Sequence, residues 1–313
     1  MRIDSAVTRQ AHPASGEVSR PRWYSHRLNR LAYYRAAAAL AGALPRPARL
    51  RVARAMGRAI GRRLGAERAA VRANLRRVLP AASPAALEAA VSETFADFGA
   101  CFSDLLTVNR RPPEGLGGWV GSALGEDGLE AAVGAGRGVI LLTAHLGNWE
   151  LGGRLLAPRL GRTAHVVLST EQDAALEPYM RAETPNLRFV TRRQATSTLG
   201  LLAALRRGEA VAMQGDRPTG ERRDTLVPFF GAPVPFPLGP FILARAAGAP
   251  VVPAFCTMAD DTRYQIAIEP PIWVKPGAEI DALAIAVGAL ERAVRRTPTQ
   301  WFNFFEMWAG PPA

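Results

Sequence analysis

The chain has 313 residues, of which 48% are hydrophobic, and its formal net charge of +12 is carried almost entirely by arginine. That apolar content supports a substantial core and excludes wholesale disorder. The charge calls for anionic partners such as lipid headgroups, nucleic acid or an acidic carrier protein. Two distant cysteines without metal-ligand spacing, Cys101 and Cys256, indicate buried thiols in a reducing compartment rather than a disulfide framework.

The N-terminal third of the sequence is predicted to be helical and basic. Residues 1–26 are polar and contain no apolar run, which predicts a disordered tail and not a secretory signal. Residues 27–110 form a predicted helical region, which Pro45 and Pro47 break into two pieces near its start. No stretch reaches the roughly 18–20 apolar residues of a spanning helix, so any membrane contact is expected to be at the surface.

The second helical piece carries a basic face. At about 100° per residue, four arginines fall within a wedge of about 80°, opposite an apolar set. The basic set is Arg51, Arg54, Arg58 and Arg62, and the apolar set is Ala53, Met56, Ile60 and Leu64. Two interpretations are open: an amphipathic helix resting on anionic lipid, or a helix packed on its own core with a solvated basic face. We expect membrane binding through the four arginines.

The rest of the chain alternates between strands and helices. A capped start at Ser83-Pro84 predicts a helix over 85–106, followed by a connector rich in proline and glycine. Short apolar strands are predicted at 138–143, 164–168, 210–213, 251–258 and 264–268, and helices at 149–160, 174–183, 196–207, 239–247 and 281–296. This pattern predicts an α/β fold over residues 111–313, with a mixed central sheet flanked by helices. The basic helical membrane-association segment precedes it.

A candidate reaction centre follows the first predicted strand, in the segment His145-Leu-Gly-Asn-Trp-Glu150. Ligands usually bind at the carboxyl ends of strands in open α/β sheets. On one continuous helix the spacing would point His145 and Glu150 about 140° apart, so they meet only if His145 lies in a turn before the helix. Glu150 could then orient His145, which would take a proton from an acceptor hydroxyl. A purely structural histidine is the alternative.

The start of the following helix is a predicted anion site. Gly147 allows a tight turn, and the free backbone N–H groups near Gly147 and Asn148 could hold a developing oxyanion. A second candidate, Gly215-Asp-Arg-Pro218, follows the strand at 210–213. There Asp216 could bind a substrate hydroxyl or brace a cation, and Arg217 could bind a phosphate. An ordinary turn with a surface ion pair is the alternative.

Two further segments are strongly apolar. Residues 229–241 are rich in proline and phenylalanine, which predicts a loop that is either buried or lines an acyl chain. Phe229, Phe230 and Gly239 are the candidate substrate contacts in it. The aromatic stretch Gln300–Trp308 fits a buried strand or cap, or alternatively an interfacial belt.

These segments, taken in order, resemble the lipid A biosynthesis acyltransferase family of late lauroyl- and myristoyl-type enzymes. That family lies within the His-x4-Asp/Glu glycerolipid acyltransferase group. The resemblance runs from about Arg27 to Trp308. It rests on the basic N-terminal helix, Arg72-Ala-Asn-Leu-Arg-Arg-Val-Leu-Pro80, Thr143-Ala-His-Leu-Gly-Asn-Trp-Glu150, Gly215-Asp-Arg-Pro218, Phe229-Phe-Gly231 and Pro250-Val-Val-Pro253. The order of these motifs is far more specific than any one of them.

The resemblance implies an O-acyltransferase in which His145 is the general base, Glu150 its partner and Asp216 a further acid. The co-substrate would be an acyl thioester on acyl carrier protein or coenzyme A, with no cofactor or metal. The acceptor would be a hydroxyl of a membrane glycolipid or related lipid. Acyl carrier proteins of this kind are acidic, which suits the net charge of +12. The implied location is the cytoplasmic face of the bacterial inner membrane, in peripheral or monotopic association.

The sequence departs from the family pattern at one point. Lipid A enzymes usually carry an arginine in a Tyr-Arg-Pro-like segment after the second strand, and here Val167–Asp173 contains none. Glu171 is a candidate replacement among the substrate-binding residues. The missing arginine leaves the acceptor open, and the Trp-Phe-Asn-Phe-Phe ending resembles a divergent subgroup with other lipid-linked products. Phosphatidylinositol mannoside acylation is a third related activity.

Two other classes of protein are alternatives to an acyltransferase. A non-catalytic basic α/β protein that binds lipid or nucleic acid would also carry the positive charge. The basic helix lacks aromatic residues, which disfavours nucleic acid as a partner. A hydrolase with a serine nucleophile would need a Gly-x-Ser-x-Gly elbow, and none is present.

Overall fold

The computed structural model describes residues 44–108, 113–168, 186–191, 197–219 and 224–309. The predicted N-terminal tail, the candidate Glu171 and the predicted helix at 174–183 lie outside these residues.

Three helices form the N-terminal part of the described chain: α1 (Arg46–Gly61), α2 (Gly65–Val78) and α3 (Pro84–Val108). The second predicted piece begins at the prolines, because α1 begins directly after Pro45 and carries Pro47 in its first turn. The first predicted piece lies outside the described residues. A further break, which the sequence analysis did not predict, separates α1 from α2. Among the described residues no helix is both long and apolar enough to cross a bilayer.

Helices α1 and α3 touch at their backbones. A Cβ atom on Gly57 would lie 2.1 Å from the Phe95 carbonyl oxygen, and one on Gly99 would lie 2.5 Å from that of Ala53. Such contact is possible only because both helices present glycine at the crossing. Larger side chains at positions 57 and 99 would therefore push α1 away from α3.

The packing of α1 changes the interpretation of its basic face. Arg54 forms ion pairs with Glu93 and Asp97 of α3, and Arg58 pairs with Glu93 at 2.8 Å. These two arginines therefore lie against α3, which neither the lipid-bound nor the solvated interpretation of the basic face predicted. Arg51 and Arg62 remain exposed, and lipid binding by the helix stays a prediction.

The central sheet of the described chain has seven strands. They are β1 (Val120–Leu124), β2 (Val139–Thr143), β3 (Ala164–Leu168), β4 (Leu187–Thr191), β5 (Ala210–Gln214), β8 (Val251–Met258) and β9 (Tyr264–Ile268), while β6 (Asp224–Phe229) and β7 (Ala232–Pro237) form a separate hairpin. Their order is β1-β9-β8-β2-β5-β3-β4. Neighbouring strands are parallel except for β8 and β9. The predicted mixed sheet is thus confirmed.

Helices flank this sheet: α4 (Glu126–Gly134), α5 (Trp149–Leu160), α6 (Ser197–Arg206), α7 (Gly239–Ala247) and α8 (Glu279–Arg296). The side chains of β2 alternate between two hydrophobic clusters. Ile140 and Leu142 belong to the cluster with α6, α7 and α8, and Val139 and Leu141 to the cluster with α4 and α5. Because β2 is buried on both sides, its sequence is a continuous apolar run.

The segment at 229–241 is not the loop that its prolines predicted. It contains the end of β6, all of β7 and the start of α7. A two-stranded ribbon has an outer edge on each strand, where proline costs no ladder hydrogen bond. Phe230 and Gly231 form the turn with φ of 47° and 77°, and such a turn requires positive φ at both positions. The strained Phe230 is held by its N–H bond to Glu291 at 2.8 Å.

Candidate active site

His145 and Asp216 meet because they follow neighbouring strands of the sheet. β2 and β5 are parallel and in register, and each residue lies two positions beyond the end of its strand. The His145 Nδ1 lies 2.8 Å from Asp216 Oδ1, and the His145 backbone N–H donates to Oδ2 at 3.1 Å. Both are buried, at 7% and 0% exposure. The carboxylate therefore holds the Nδ1 proton, which leaves Nε2 as the proton acceptor.

Burial and charge set the protonation states of the pair. Burial, together with the neighbouring Arg217 charge, lowers the pKa of His145 below 6.5 against the opposing effect of Asp216. Burial alone would raise the pKa of Asp216, but the His145 ring and the Arg217 guanidinium lower it to about 2. At neutral pH the site thus holds a neutral imidazole and an ionised carboxylate. This is the state that a general base needs.

Glu150 does not have the role that its spacing from His145 predicted. It lies in the first turn of α5, and its charge acts on Arg154, one turn further along the helix. The Nδ1 atom of His145 is instead hydrogen-bonded to Asp216. We therefore correct the assignment: Asp216 orients His145. A contribution of Glu150 to catalysis stays a prediction.

Gly147 closes the turn between His145 and α5 by packing against strand β8. It has a φ of 61°, and a Cβ atom there would lie 2.1 Å from the Cys256 carbonyl oxygen. Its N–H donates to the Gln300 carbonyl at 2.8 Å. The prediction of a glycine-dependent turn is confirmed. The predicted use of the Gly147 N–H for substrate is corrected, because a protein carbonyl accepts it.

Asn148 is likewise committed to the protein. Its Oδ1 accepts the Leu151 N–H at 3.3 Å, so it caps the start of α5. Its Nδ2 donates to the Cys101 carbonyl at 3.1 Å and to Tyr264 Oη at 3.0 Å. The predicted substrate-binding role of Asn148 is therefore corrected to that of a positioning residue. Both cysteines are free and buried, as predicted.

A buried polar network extends from Asn148 to helix α1. Tyr264 Oη donates to Asp104 Oδ2 at 3.0 Å, and Asp104 is paired with Arg46 at 2.8 Å and with the buried Arg49. Burial raises the pKa of Tyr264 well above 10, and the neighbouring Cys101 and Asp104 act in the same direction, so its hydroxyl remains a donor. The network links the N-terminal helix to the loop that carries His145.

Replacing Tyr264 with phenylalanine tests this network. The hydroxyl serves buried groups on both sides, so its loss leaves Asp104 and Asn148 each short of one partner. We expect the free energy of unfolding to fall by about 2 kcal/mol, measured by urea denaturation. Phe302→Leu, which removes aromatic packing but no hydrogen bond, is the comparison for non-specific core damage. An unchanged urea midpoint for Tyr264→Phe would remove the hydroxyl from the network.

The C-terminal segment completes the site and was not predicted as part of it. The Phe302 N–H donates to the His145 carbonyl at 2.7 Å. Arg217 donates to Asn303 Oδ1 and to the Phe302 carbonyl, both at 2.9 Å. Asn303 Nδ2 lies 3.5 Å from Asp216 Oδ2. Arg217 therefore braces this segment, and its predicted phosphate contact stays a prediction.

The predicted apolar substrate contacts are separated by the structure. Phe229 is fully buried in the core at 0% exposure, stacked on Trp308 with 5.7 Å between ring centroids. This corrects its prediction as a substrate contact, since its ring faces other side chains. Phe230 packs beneath the Arg295 guanidinium at 4.9 Å. Gly239 is the exposed first residue of α7. Substrate contact by Phe230 or Gly239 stays a prediction.

An apolar cavity of about 20 Å³ adjoins the His145–Asp216 dyad, lined by Ala144 and Gly215 and by side chains of α8. That volume suits about one water molecule and is too small for an acyl chain. Within the described ranges, no three His, Cys, Asp or Glu side chains converge as a metal site. The prediction that no metal is required stays a prediction.

The relatives found by sequence comparison are named as acyltransferases. The sequence profile of the bacterial lipid A biosynthesis acyltransferases matches residues 25–309. The chain is 26% identical over 186 residues to a lipid A biosynthesis palmitoleoyltransferase of Escherichia coli, covering 56% of this chain and 58% of that enzyme. It is 29% identical over 146 residues to a phosphatidylinositol mannoside acyltransferase of Mycobacterium tuberculosis, covering 42% of each.

These matches span about half the length of the relatives, whereas the family profile covers most of this chain and includes both strand ends that form the dyad. The chain belongs to the bacterial lipid A biosynthesis acyltransferase family.

Proposed function

We propose that the protein is a membrane-associated O-acyltransferase that moves a fatty acyl group from a thioester to a hydroxyl of a glycolipid. The observation that carries the proposal is the buried His145–Asp216 dyad at the carboxyl ends of β2 and β5. A neutral imidazole with its Nδ1 proton held by a carboxylate is equipped to deprotonate a hydroxyl through Nε2. The family membership of the chain supports acyl transfer as the reaction.

In this reaction His145 Nε2 takes the proton of the acceptor hydroxyl while its oxygen bonds to the thioester carbonyl carbon. Asp216 stabilises the imidazolium that forms. The tetrahedral intermediate then expels the thiolate, which takes the proton back from His145. The products are an ester and a free thiol, and the enzyme returns to its starting state.

The acceptor is proposed as a glycolipid hydroxyl, for which the two kinds of relative suggest two candidates. One relative is named for lipid A and the other for phosphatidylinositol mannoside. Both names describe acylation of a sugar-containing membrane lipid. The donor is proposed as an acyl thioester of acyl carrier protein or coenzyme A, and the net charge of +12 suits the acidic carrier protein.

The experiment is a transfer assay with radiolabelled donors and a panel of acceptors. Acyl carrier protein and coenzyme A thioesters are each offered with a lipid A precursor, phosphatidylinositol mannoside and lysophospholipids. We expect labelled ester with at least one glycolipid and none with the lysophospholipids. Release of free fatty acid without ester would indicate a thioesterase and contradict the proposal.

We propose that membrane contact uses the outward face of α1. Opposite α3, this helix exposes Val52 at 38% and Met56 at 47%. Arg51, Arg62 and Arg63 flank them and are exposed as well. Apolar side chains bordered by arginine form the pattern of a helix lying on an anionic bilayer. Cytoplasmic-face association with the inner membrane follows from the proposed acyl-carrier donor.

Neutralising the three exposed arginines tests this surface. Because each basic residue near an anionic bilayer contributes about 1 kcal/mol, replacing Arg51, Arg62 and Arg63 with glutamine should weaken liposome binding roughly 100-fold. Co-sedimentation with phosphatidylglycerol vesicles measures the affinity of each variant for the membrane. Arg58→Gln is the matched control, since Arg58 is paired with Glu93 and should affect stability more than binding. Equal loss in both variants would contradict the assignment of this face.

A further inference from the structure

Trp149 places an indole against the proposed catalytic base. It is the first residue of α5, and its ring centroid lies 4.9 Å from that of His145 at an interplanar angle of 61°. Its second aromatic neighbour is Phe302 at 6.4 Å, whose backbone N–H binds the His145 carbonyl. The indole of Trp149 therefore packs against the imidazole of His145.

The Nε1–H of Trp149 is buried and has no acceptor among the described residues. Buried tryptophan N–H groups usually find a partner, because an unsatisfied one destabilises the fold. A substrate that supplies the acceptor would explain why this N–H is unpaired next to the proposed catalytic base.

An unpaired donor is not by itself evidence of a binding site. A second tryptophan of this chain, Trp301, provides a comparison. In the part of the chain that the structure describes, Trp301 Nε1 is also buried without an acceptor. The Trp301 side chain, however, is only 3% exposed and packs in the apolar core against Phe229 at 5.6 Å and Trp308 at 6.1 Å. Position beside His145 is therefore what distinguishes Trp149.

We propose that Trp149 is a catalytic residue whose indole N–H stabilises the oxyanion of the tetrahedral intermediate. This inference rests on the proposed acyl transfer. When the acceptor oxygen bonds to the thioester carbon, the carbonyl π electrons move to oxygen, and the Trp149 N–H donates to that oxyanion. The electrons return as the C–S bond breaks, and the leaving thiolate takes the proton that His145 removed. Oxyanion stabilisation of this kind acts more strongly in the transition state than on the bound substrate.

The kinetic test compares Trp149→Phe with Trp301→Phe. Both changes convert an indole whose N–H is buried and unpaired into a phenyl ring, and only the first alters a ring that packs against His145. We expect kcat to fall about 100-fold in Trp149→Phe with little change in the acceptor KM, and to change less than threefold in Trp301→Phe. A raised acceptor KM with normal kcat, or full activity, overturns the oxyanion role. Trp149→benzothienylalanine, which keeps the bicyclic shape and replaces N–H with sulfur, separates loss of the donor from loss of ring volume.

A binding measurement makes the test independent of turnover. The probe is a myristoyl pantetheine ketone, in which CH2 replaces the thioester sulfur, because pantetheine is common to both candidate carriers. In 15N-tryptophan-labelled protein, the indole resonance that Trp149→Phe deletes should move downfield on addition of the ketone, and the Trp301 resonance should not. A saturating shift elsewhere with none at Trp149 overturns the assignment. Absence of ester formation by the wild type would instead overturn the proposed function.

Discussion

Replacing His145 with glutamine is expected to lower the rate of acyl transfer by about 10³- to 10⁴-fold while the protein stays folded. A positioned general base contributes roughly 10²- to 10⁴-fold to a rate, and glutamine cannot take a proton from the acceptor hydroxyl. Its amide can still donate to Asp216, so the buried carboxylate keeps a hydrogen-bond partner on that side. Initial rates of radiolabelled ester formation, with circular dichroism for folding, measure the effect.

The pH dependence of the wild type provides the control for this prediction. Burial and the Arg217 charge lower the pKa of His145 below 6.5, so the neutral, base-competent form persists into mildly acidic solution. The acidic limb of kcat/KM should therefore fall below pH 6.5. Arg217→Gln removes a positive charge that disfavours the imidazolium, and should move this limb to higher pH. Turnover retained in His145→Gln, with an unchanged acidic limb, would exclude His145 as the base.

The strands that build the site could be predicted from sequence, but their neighbours in the sheet could not. The apolar runs near Val139 and Ala210 predicted two buried strands, and His145 and Asp216 each follow one of them. Strand order depends on how the flanking helices pack, and no local pattern encodes it. Without the β2–β5 pairing, nearness along the chain favoured Glu150 as the partner of His145.

Predictions of residue roles were wrong where one sequence pattern is compatible with two kinds of partner. The arginines of α1 share a helical face, but their spacing does not show whether that face contacts lipid or the carboxylates of α3. Only the position of Glu93 shows that Arg54 and Arg58 are paired within the protein. Asn148 gave a similar ambiguity, because a helix start can bind an anion or be capped by its own side chain. The cap is what the structure contains.

The contacts that the C-terminal segment makes with the site could not be predicted from the sequence for a different reason. The aromatic stretch at 300–308 predicted burial, which is confirmed for Trp301 and Phe302. Nothing local marked Asn303 as a neighbour of Asp216, since the two residues are 87 positions apart. Long-range polar contacts of this kind depend on the completed fold. Likewise, the sequence did not show that Tyr264, a strand residue, donates a hydrogen bond to Asp104 and accepts one from Asn148.

Asp216→Asn is expected to lower the rate of acyl transfer by about 10³- to 10⁴-fold, although the side chains at positions 145 and 216 should keep their places in the site. The neutral amide can donate to Nδ1, whereas the carboxylate accepts from it. The imidazole then carries its proton on Nε2, so this nitrogen can no longer accept the proton of the acceptor hydroxyl. The amide oxygen can still accept the His145 backbone N–H, now at 3.1 Å from Oδ2, so the loop geometry should persist.

Comparison with Glu150→Gln separates the structural assignment from the one that spacing suggested. If Asp216 orients the ring, Asp216→Asn should reduce kcat far more than Glu150→Gln, and the ranking should reverse if Glu150 does. The nitrogen chemical shifts of 15N-labelled histidine report the tautomer directly. In the wild type we expect the His145 proton on Nδ1, and in Asp216→Asn on Nε2.

A purely structural Asp216 would give a different combination of results. Its carboxylate has a pKa lowered to about 2 by the His145 ring and Arg217, against burial, so it stays ionised across the working range. Loss of a merely structural anion would lower the thermal midpoint and leave the histidine tautomer and the acidic limb of the rate profile unchanged. Loss of the orienting partner should change the tautomer at any temperature where the protein is folded. The decisive result is therefore a folded Asp216→Asn protein with its His145 proton on Nε2 and no acyl transfer.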